Sequence, residues 1–209
     1  MIELLFARKY LRKRALFGST VAAALAITAA SASAEDSAGN TCNAASINSP
    51  PGIEWMESYG WRYPDDTAAE AAYGELVTGQ SPWPSWFTPV LSWLPQGTVF
   101  QMALGTGQPT DRPGGFGTFD NIQNVAEIRE YLAVLQVWKP DIDRVATYRT
   151  TQQMVAMIGP IGPQVDAESC ELLPGRYSQF QMVVPPQDRM NYLELVGVRA
   201  IPANIDDTD

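Results

Sequence analysis

Downstream of residue 96 the apolar positions fall into two periods. Gly97 to Leu104, GTVFQMAL, has Val99 and Phe100 at the head of a β-prone run and reads as a strand. Asn124 precedes VAEIREYLAVLQVW, where Val125, Ile128, Leu132, Leu135 and Trp138 recur at three and four residues. That spacing predicts an amphipathic helix stopped by Pro140. Strand patterns follow over Arg144 to Thr150, Gln153 to Ile158, Tyr177 to Val184 and Tyr192 to Ile201. Upstream, Asp66 to Val77 predicts a short helix, because DDTAAEAA supplies an N-cap residue and early acids. Few helices and several late strands predict a single α+β domain, mainly antiparallel sheet with one or two helices.

The remaining segments are less periodic. Residues 1–34 carry Arg8, Lys9, Arg12, Lys13 and Arg14, then an apolar run from Ala15 to Ala30, then Ala32-Ser33-Ala34. This order predicts a cleavable signal peptide cut after Ala34, and the alanine-rich run is too short for stable membrane insertion. Residues 35–52 are small and polar and end in Pro50-Pro51-Gly52, so they read as an extended arm. The domain proper is then expected over 53–203, with a frayed acidic tail at 204–209. Trp83, Trp86, Phe87 and Trp93, punctuated by Pro82, Pro84 and Pro89, either plug the side of a core or present a contact surface.

Charge and composition narrow the function. Five of the 14 basic residues leave with the leader and one of the 23 acidic ones, so nine against 22 gives a mature charge of −13. Lys139 is the only lysine left, which argues against nucleic-acid binding. Cys42 and Cys170 are the only cysteines and, in a secreted or periplasmic protein, read as a disulfide. The chain has no histidine. Ser-His and Cys-His catalysis and histidine-ligated zinc are thereby excluded, and no metal site is expected.

The loop Asp111-Arg112-Pro113-Gly114-Gly115-Phe116-Gly117 sets one arginine beside three glycines, an arrangement that lets backbone and guanidinium approach a phosphate. A tyrosine-bearing strand, VATYR, follows, then an apolar strand ending GPIGPQ, then a glycine turn and Ser178-Gln179-Phe180. In this order the features resemble the tuberculosis necrotizing toxin family of NAD glycohydrolases, across roughly residues 94–184. Pro113 stands where that family has an aromatic, Gly175-Arg176-Tyr177-Ser178 replaces a glycine pair, and the second arginine has only Arg129 as a match. The resemblance implies that Gln179 is the catalytic amide and that Arg112 contacts the NAD phosphates, with Gly115, Phe116 and Tyr148 lining the site and Arg176 beside them. NAD is then a substrate and no cofactor is needed. An immunity or target protein is the implied partner. Read only from its strand, S-Q-F-Q-M, Gln179 is equally a polar residue on a solvent face.

Other chemistries have their own candidates. ADP-ribosyltransfer would call on Glu194, in NYLELV; a glycosidase would need Asp65-Asp66 or Asp141 with Asp143; DIDR offers a sparse calcium loop. A secreted binding or inhibitory domain would use Trp86 or Trp93.

Overall fold

The structure is a computed structural model that describes residues 42–203, all within one unit. The expected leader, the start of the arm and the tail lie outside the described residues. The architecture is α+β, with antiparallel sheets and three α-helices, one more than the sequence patterns predict.

The extra helix arises where an extended arm was expected. Residues 42–49 form turns, and Pro50-Pro51-Gly52 opens α1 (Pro50–Tyr59) instead of closing the arm. Proline is favoured in the first turn, where its missing N–H is not needed, and Ser49 Oγ accepts from the Gly52 N–H at 3.2 Å. A 3₁₀ turn at Gly60–Arg62 leads to α2 (Asp66–Gly79), whose Asp65 cap accepts from the Ala68 N–H at 2.8 Å. Trp55 and Tyr73 of the two helices pack on Val165 and Leu172.

Nine strands follow: β1 (Val90–Leu94), β2 (Val99–Gly105), β3 (Phe116–Gly117), β4 (Ile142–Thr150), β5 (Met154–Pro160), β6 (Gln164–Asp166), β7 (Glu171–Leu173), β8 (Ser178–Met182) and β9 (Leu193–Ala200). They form a four-stranded sheet in the order β1-β5-β8-β3, a three-stranded sheet β2-β4-β9 and the β6-β7 hairpin. Gln101 on β2 and Thr118 just past β3 exchange backbone hydrogen bonds of 2.8 and 3.0 Å, which joins the two larger sheets. The main core lies between them. Alternation along β2 turns Phe100, Met102 and Leu104 inward to meet Tyr148, Met154, Phe180 and Met182. Phe100 stacks on Tyr148 at 5.7 Å and meets Phe180 edge-on at 4.9 Å. β3 crosses these rings at Gly117, where a Cβ would lie 2.6 Å from the Phe180 ring, so only glycine fits.

The long amphipathic helix expected from Val125 to Trp138 stops at Glu130, as α3 (Val125–Glu130). Its end is held by neighbours: the Glu130 carbonyl accepts from the Gly175 N–H, and the Tyr131 carbonyl accepts from the N–H groups of Arg176 and Tyr177. The chain then turns through Ala133, at φ +49°. The 3.6-residue pattern is real, but two cores consume it, Ile128 packing in one and Leu135 in another.

Trp83 and Phe87 press on the outer face of β5, where a Cβ at Gly159 would strike both rings. Trp86 and Trp93 stay exposed. Cys42 and Cys170 are bonded, with Cα atoms 5.5 Å apart, as an oxidising compartment permits. No helix among the described residues is long and apolar enough to cross a membrane.

Candidate functional site

A cleft of about 380 Å³ opens where β2 and β3 meet the 131–139 turn, the 80–82 linker and the segment leading into β6. That volume lies in the range of small-molecule sites. Among the described residues five glutamines line it, Gln80, Gln101, Gln108, Gln164 and Gln179, together with Lys139, and no carboxylate does. Gly114, Gly115 and Gly117 form one rim, and Phe116 and Trp138 supply aromatic faces.

Gln179 sits on β8 with its neighbours Phe180 and Met182 in the core, so strand alternation turns its side chain to the opposite face. That face is covered by the 80–87 segment and not by solvent; Gln179 is only 9% exposed. Its Nε2 donates to the Pro82 carbonyl at 3.0 Å, and no donor among the described residues reaches its Oε1. The same Pro82 carbonyl accepts from the Gly162 N–H at 3.0 Å. A Cβ at Gly162 would lie 2.7 Å from the Trp83 backbone, so this glycine is what lets the linker come close enough to hold Gln179.

Lys139, which composition alone picks out only as the last lysine, reaches the cleft from the turn after α3. Its Nζ donates to the Ala103 carbonyl at 2.7 Å and to Gln108 Oε1 at 3.0 Å. Burial, and then the nearby Arg129 charge, pull its pKa below the ordinary lysine value. Arg129 itself is occupied, donating to the carbonyls of Val134 and Lys139 at 2.9 and 2.6 Å, and thus shapes the turn. The signal for Lys139 was hidden because its segment reads as helix, which would place it elsewhere.

The five site residues expected from sequence are partly brought together. Gln179, Gly115 and Phe116 line the one cleft. Arg112 is exposed on the same loop but does not line the cleft. Tyr148 is fully buried in the core beneath that loop, and its hydroxyl donates to the Thr110 carbonyl at 2.8 Å. It supports the loop from below. Arg189 ties down the loop's other side by donating to the Pro113 carbonyl at 2.9 Å. Arg176 is exposed, 5.6 Å over the Tyr131 ring. Glu194 lies on β9, paired with Arg149 at 2.8 Å and outside the cleft. Asp65 caps α2 and Asp143 pairs with Arg144 at 2.9 Å. No acidic or cysteine cluster among the described residues could hold a metal ion.

Next to Gln179, the Asp120 carboxylate accepts from the Ser178 hydroxyl at 2.6 Å, the Ser178 N–H and the Thr118 hydroxyl at 3.0 Å. Burial pushes its pKa up, but these hydrogen bonds outweigh burial and hold it below the ordinary 3.8. A depressed folded pKa adds stability that is complete above the unfolded value and is lost as pH falls through the folded one. Asp120→Asn should therefore cost about 1–3 kcal/mol at neutral pH. Urea midpoints of the two proteins should converge as pH falls below the ordinary aspartate value and through the lowered folded one. A gap that stays constant with pH would show that the charge is not what matters.

No protein-family model matches the chain, and no curated protein matches it in sequence. Among solved structures, a chain of the complex of Tne2 with Tni2 is similar at a TM-score of 0.49 and 24% identity, over 58% of this chain and 99% of that one. A chain of the complex of Rhs1-CT with its cognate immunity protein RhsI1 is similar at 0.39 and 18%, over 54% and 81%. A chain of the complex of Tse6 with Tsi6 is similar at 0.35 and 16%, over 68% and 91%. At these values none of the likenesses assigns a family or an activity.

Proposed function

We propose that the chain is an exported, toxin-type NAD glycohydrolase that breaks the nicotinamide–ribose bond in this cleft. The observation that carries the reading is the Gln179 amide, fixed through Nε2 on Pro82 with Oε1 left as an acceptor in a cleft that no carboxylate among the described residues lines.

The chemistry suits such a lining. When the bond from ribose C1′ to the pyridinium nitrogen breaks, its electron pair passes to the nitrogen and neutralises that charge, so no strong general acid is needed. The oxygen of a water bonds to C1′ and its proton leaves to solvent, giving ADP-ribose, nicotinamide and a proton. An amide oxygen at C1′ stabilises the cationic ribose and orients the water, and a pre-positioned dipole is more effective than one that must reorganise. Lys139 and, from the neighbouring loop, Arg112 are the cations for the phosphates, and Phe116 and Trp138 give faces for the rings. The sequence resemblance to the necrotizing toxin family names the same glutamine and arginine. Two-carboxylate glycoside chemistry lacks its carboxylates here, and Glu194 is absent from the cleft lining.

The test is to incubate NAD with the purified, oxidised chain from Glu35 onward and to measure nicotinamide and ADP-ribose together. Equimolar release of both supports hydrolysis; transfer of ADP-ribose to protein without free ADP-ribose would move the reading to a transferase; an unchanged NAD pool would sink it.

A second reading concerns a protein partner, either target or immunity protein. Edge strand β1 exposes Val90, Leu91 and Trp93 at 59–66%, a run of apolar side chains beside unpaired backbone. A non-catalytic binding domain would use this edge and be indifferent to changes at Gln179.

A further inference from the structure

Gln164, the first residue of β6, is 2% exposed and lines the cleft, and its Oε1, itself sealed from solvent behind the cleft wall, has no hydrogen-bond partner among the described residues. A buried carbonyl oxygen left unpaired is costly, so an orphan at a cavity wall marks a place where a ligand donor fits. The orientation of the amide follows from chemistry: Nε2 donates to the Ser81 carbonyl at 2.6 Å, and a flipped amide would set two acceptors face to face there. Gln179 is anchored in the same way on the next carbonyl, Pro82. Two glutamine amides thus dock on successive carbonyls of one linker, and neither oxygen meets a donor among the described residues.

We propose that Gln164 Oε1 receives the carboxamide N–H₂ of nicotinamide and sets the cleft's preference for an amide-bearing ring. This rests on the NAD reading above. On the pyridinium ring the carboxamide and the ribosyl bond are meta, separated by one ring carbon. Gln164 and Gln179 line one cleft, which suits that pairing, with Gln164 on the amide and Gln179 at the ribose. An acceptor in this position rejects a carboxylate, which brings oxygen against oxygen and no donor. Discrimination by a buried hydrogen-bonding group against an analogue that lacks its partner is large, on the order of 10⁴-fold in well-formed sites.

The experiment compares NAD with its nicotinic acid analogue as substrates, and nicotinamide with nicotinic acid as ligands by calorimetry, for the wild-type protein and Gln164→Met. Wild type should prefer NAD by about 100-fold or more, and the Met variant should narrow that preference to within about 10-fold while retaining its far-ultraviolet circular dichroism. Equal cleavage of both dinucleotides by wild type would overturn the role of Gln164 and leave NAD hydrolysis standing. If wild type cleaves neither dinucleotide yet binds nicotinamide and not nicotinic acid, carboxamide recognition stands and the hydrolysis reading falls. Should wild type fail to distinguish the two free ligands as well as the two dinucleotides, the inference is overturned whether or not the Met variant folds.

Discussion

Gln179→Ala should lower the turnover of NAD by about 10²–10³-fold and leave KM little changed, because the amide oxygen is needed chiefly as charge develops on the ribose. The prediction separates chemistry from packing. Gln179 touches the linker through a single hydrogen bond, while the core side of β8 is built from Phe180 and Met182, so the variant should keep its fold. Initial rates across a range of NAD concentrations, with circular dichroism on the same samples, decide the matter. A folded variant with unimpaired turnover would remove Gln179 from the mechanism. A rise in KM at constant turnover would recast it as a residue that only holds the substrate.

Opening the Cys42–Cys170 bridge should cost about 5 kcal/mol of unfolding free energy in the chain-entropy account, since the bridge spans 128 residues. Urea titrations of the oxidised protein and of the Cys42→Ser, Cys170→Ser double variant measure this directly. The weakened region should be the cluster in which Ala44, Trp55 and Tyr73 pack on Val165 and Leu172, because the bridge joins the segment before α1 to the residue before β7. A loss below about 1 kcal/mol would mean that the unfolded chain is already compact around those residues. Since β6 carries both Val165 and Gln164, hydrogen exchange at the β6-β7 hairpin would show whether the loosening reaches the cleft.

Sequence patterns located α2, β2, β4, β5 and β8, because each carries its own period and a buried face, and β9, which is exposed along most of its length, through its β-prone composition. They missed α1, since Pro50-Pro51-Gly52 is a stop signal unless the preceding Ser49 is recognised as a cap. The short strands β3, β6 and β7 have too few residues for any period to show. In the site, the resemblance named Gln179, Gly115 and Phe116, which line the cleft, Arg112, which does not, and Tyr148, which is buried and bonds the Thr110 carbonyl of the loop. Gln164 and Lys139 were illegible for a different reason. Their roles depend on which carbonyls and which cavity wall they meet, and those contacts are made by residues 31 to 83 positions away along the chain. The anchoring of both glutamines on consecutive carbonyls of the 81–82 linker is a property of tertiary structure alone.

Of the six tryptophans, Trp138 alone lines the cleft, half-exposed and with its indole N–H directed to Gln80 Oε1 at 3.3 Å. It therefore gives the molecule an internal optical gauge. A pyridinium ring entering the cleft should accept excited-state electron density from this indole and dim its emission, while the other five emitters report only on the fold. Ligand occupancy can then be followed in real time without a label, and Trp138→Phe supplies the dark reference.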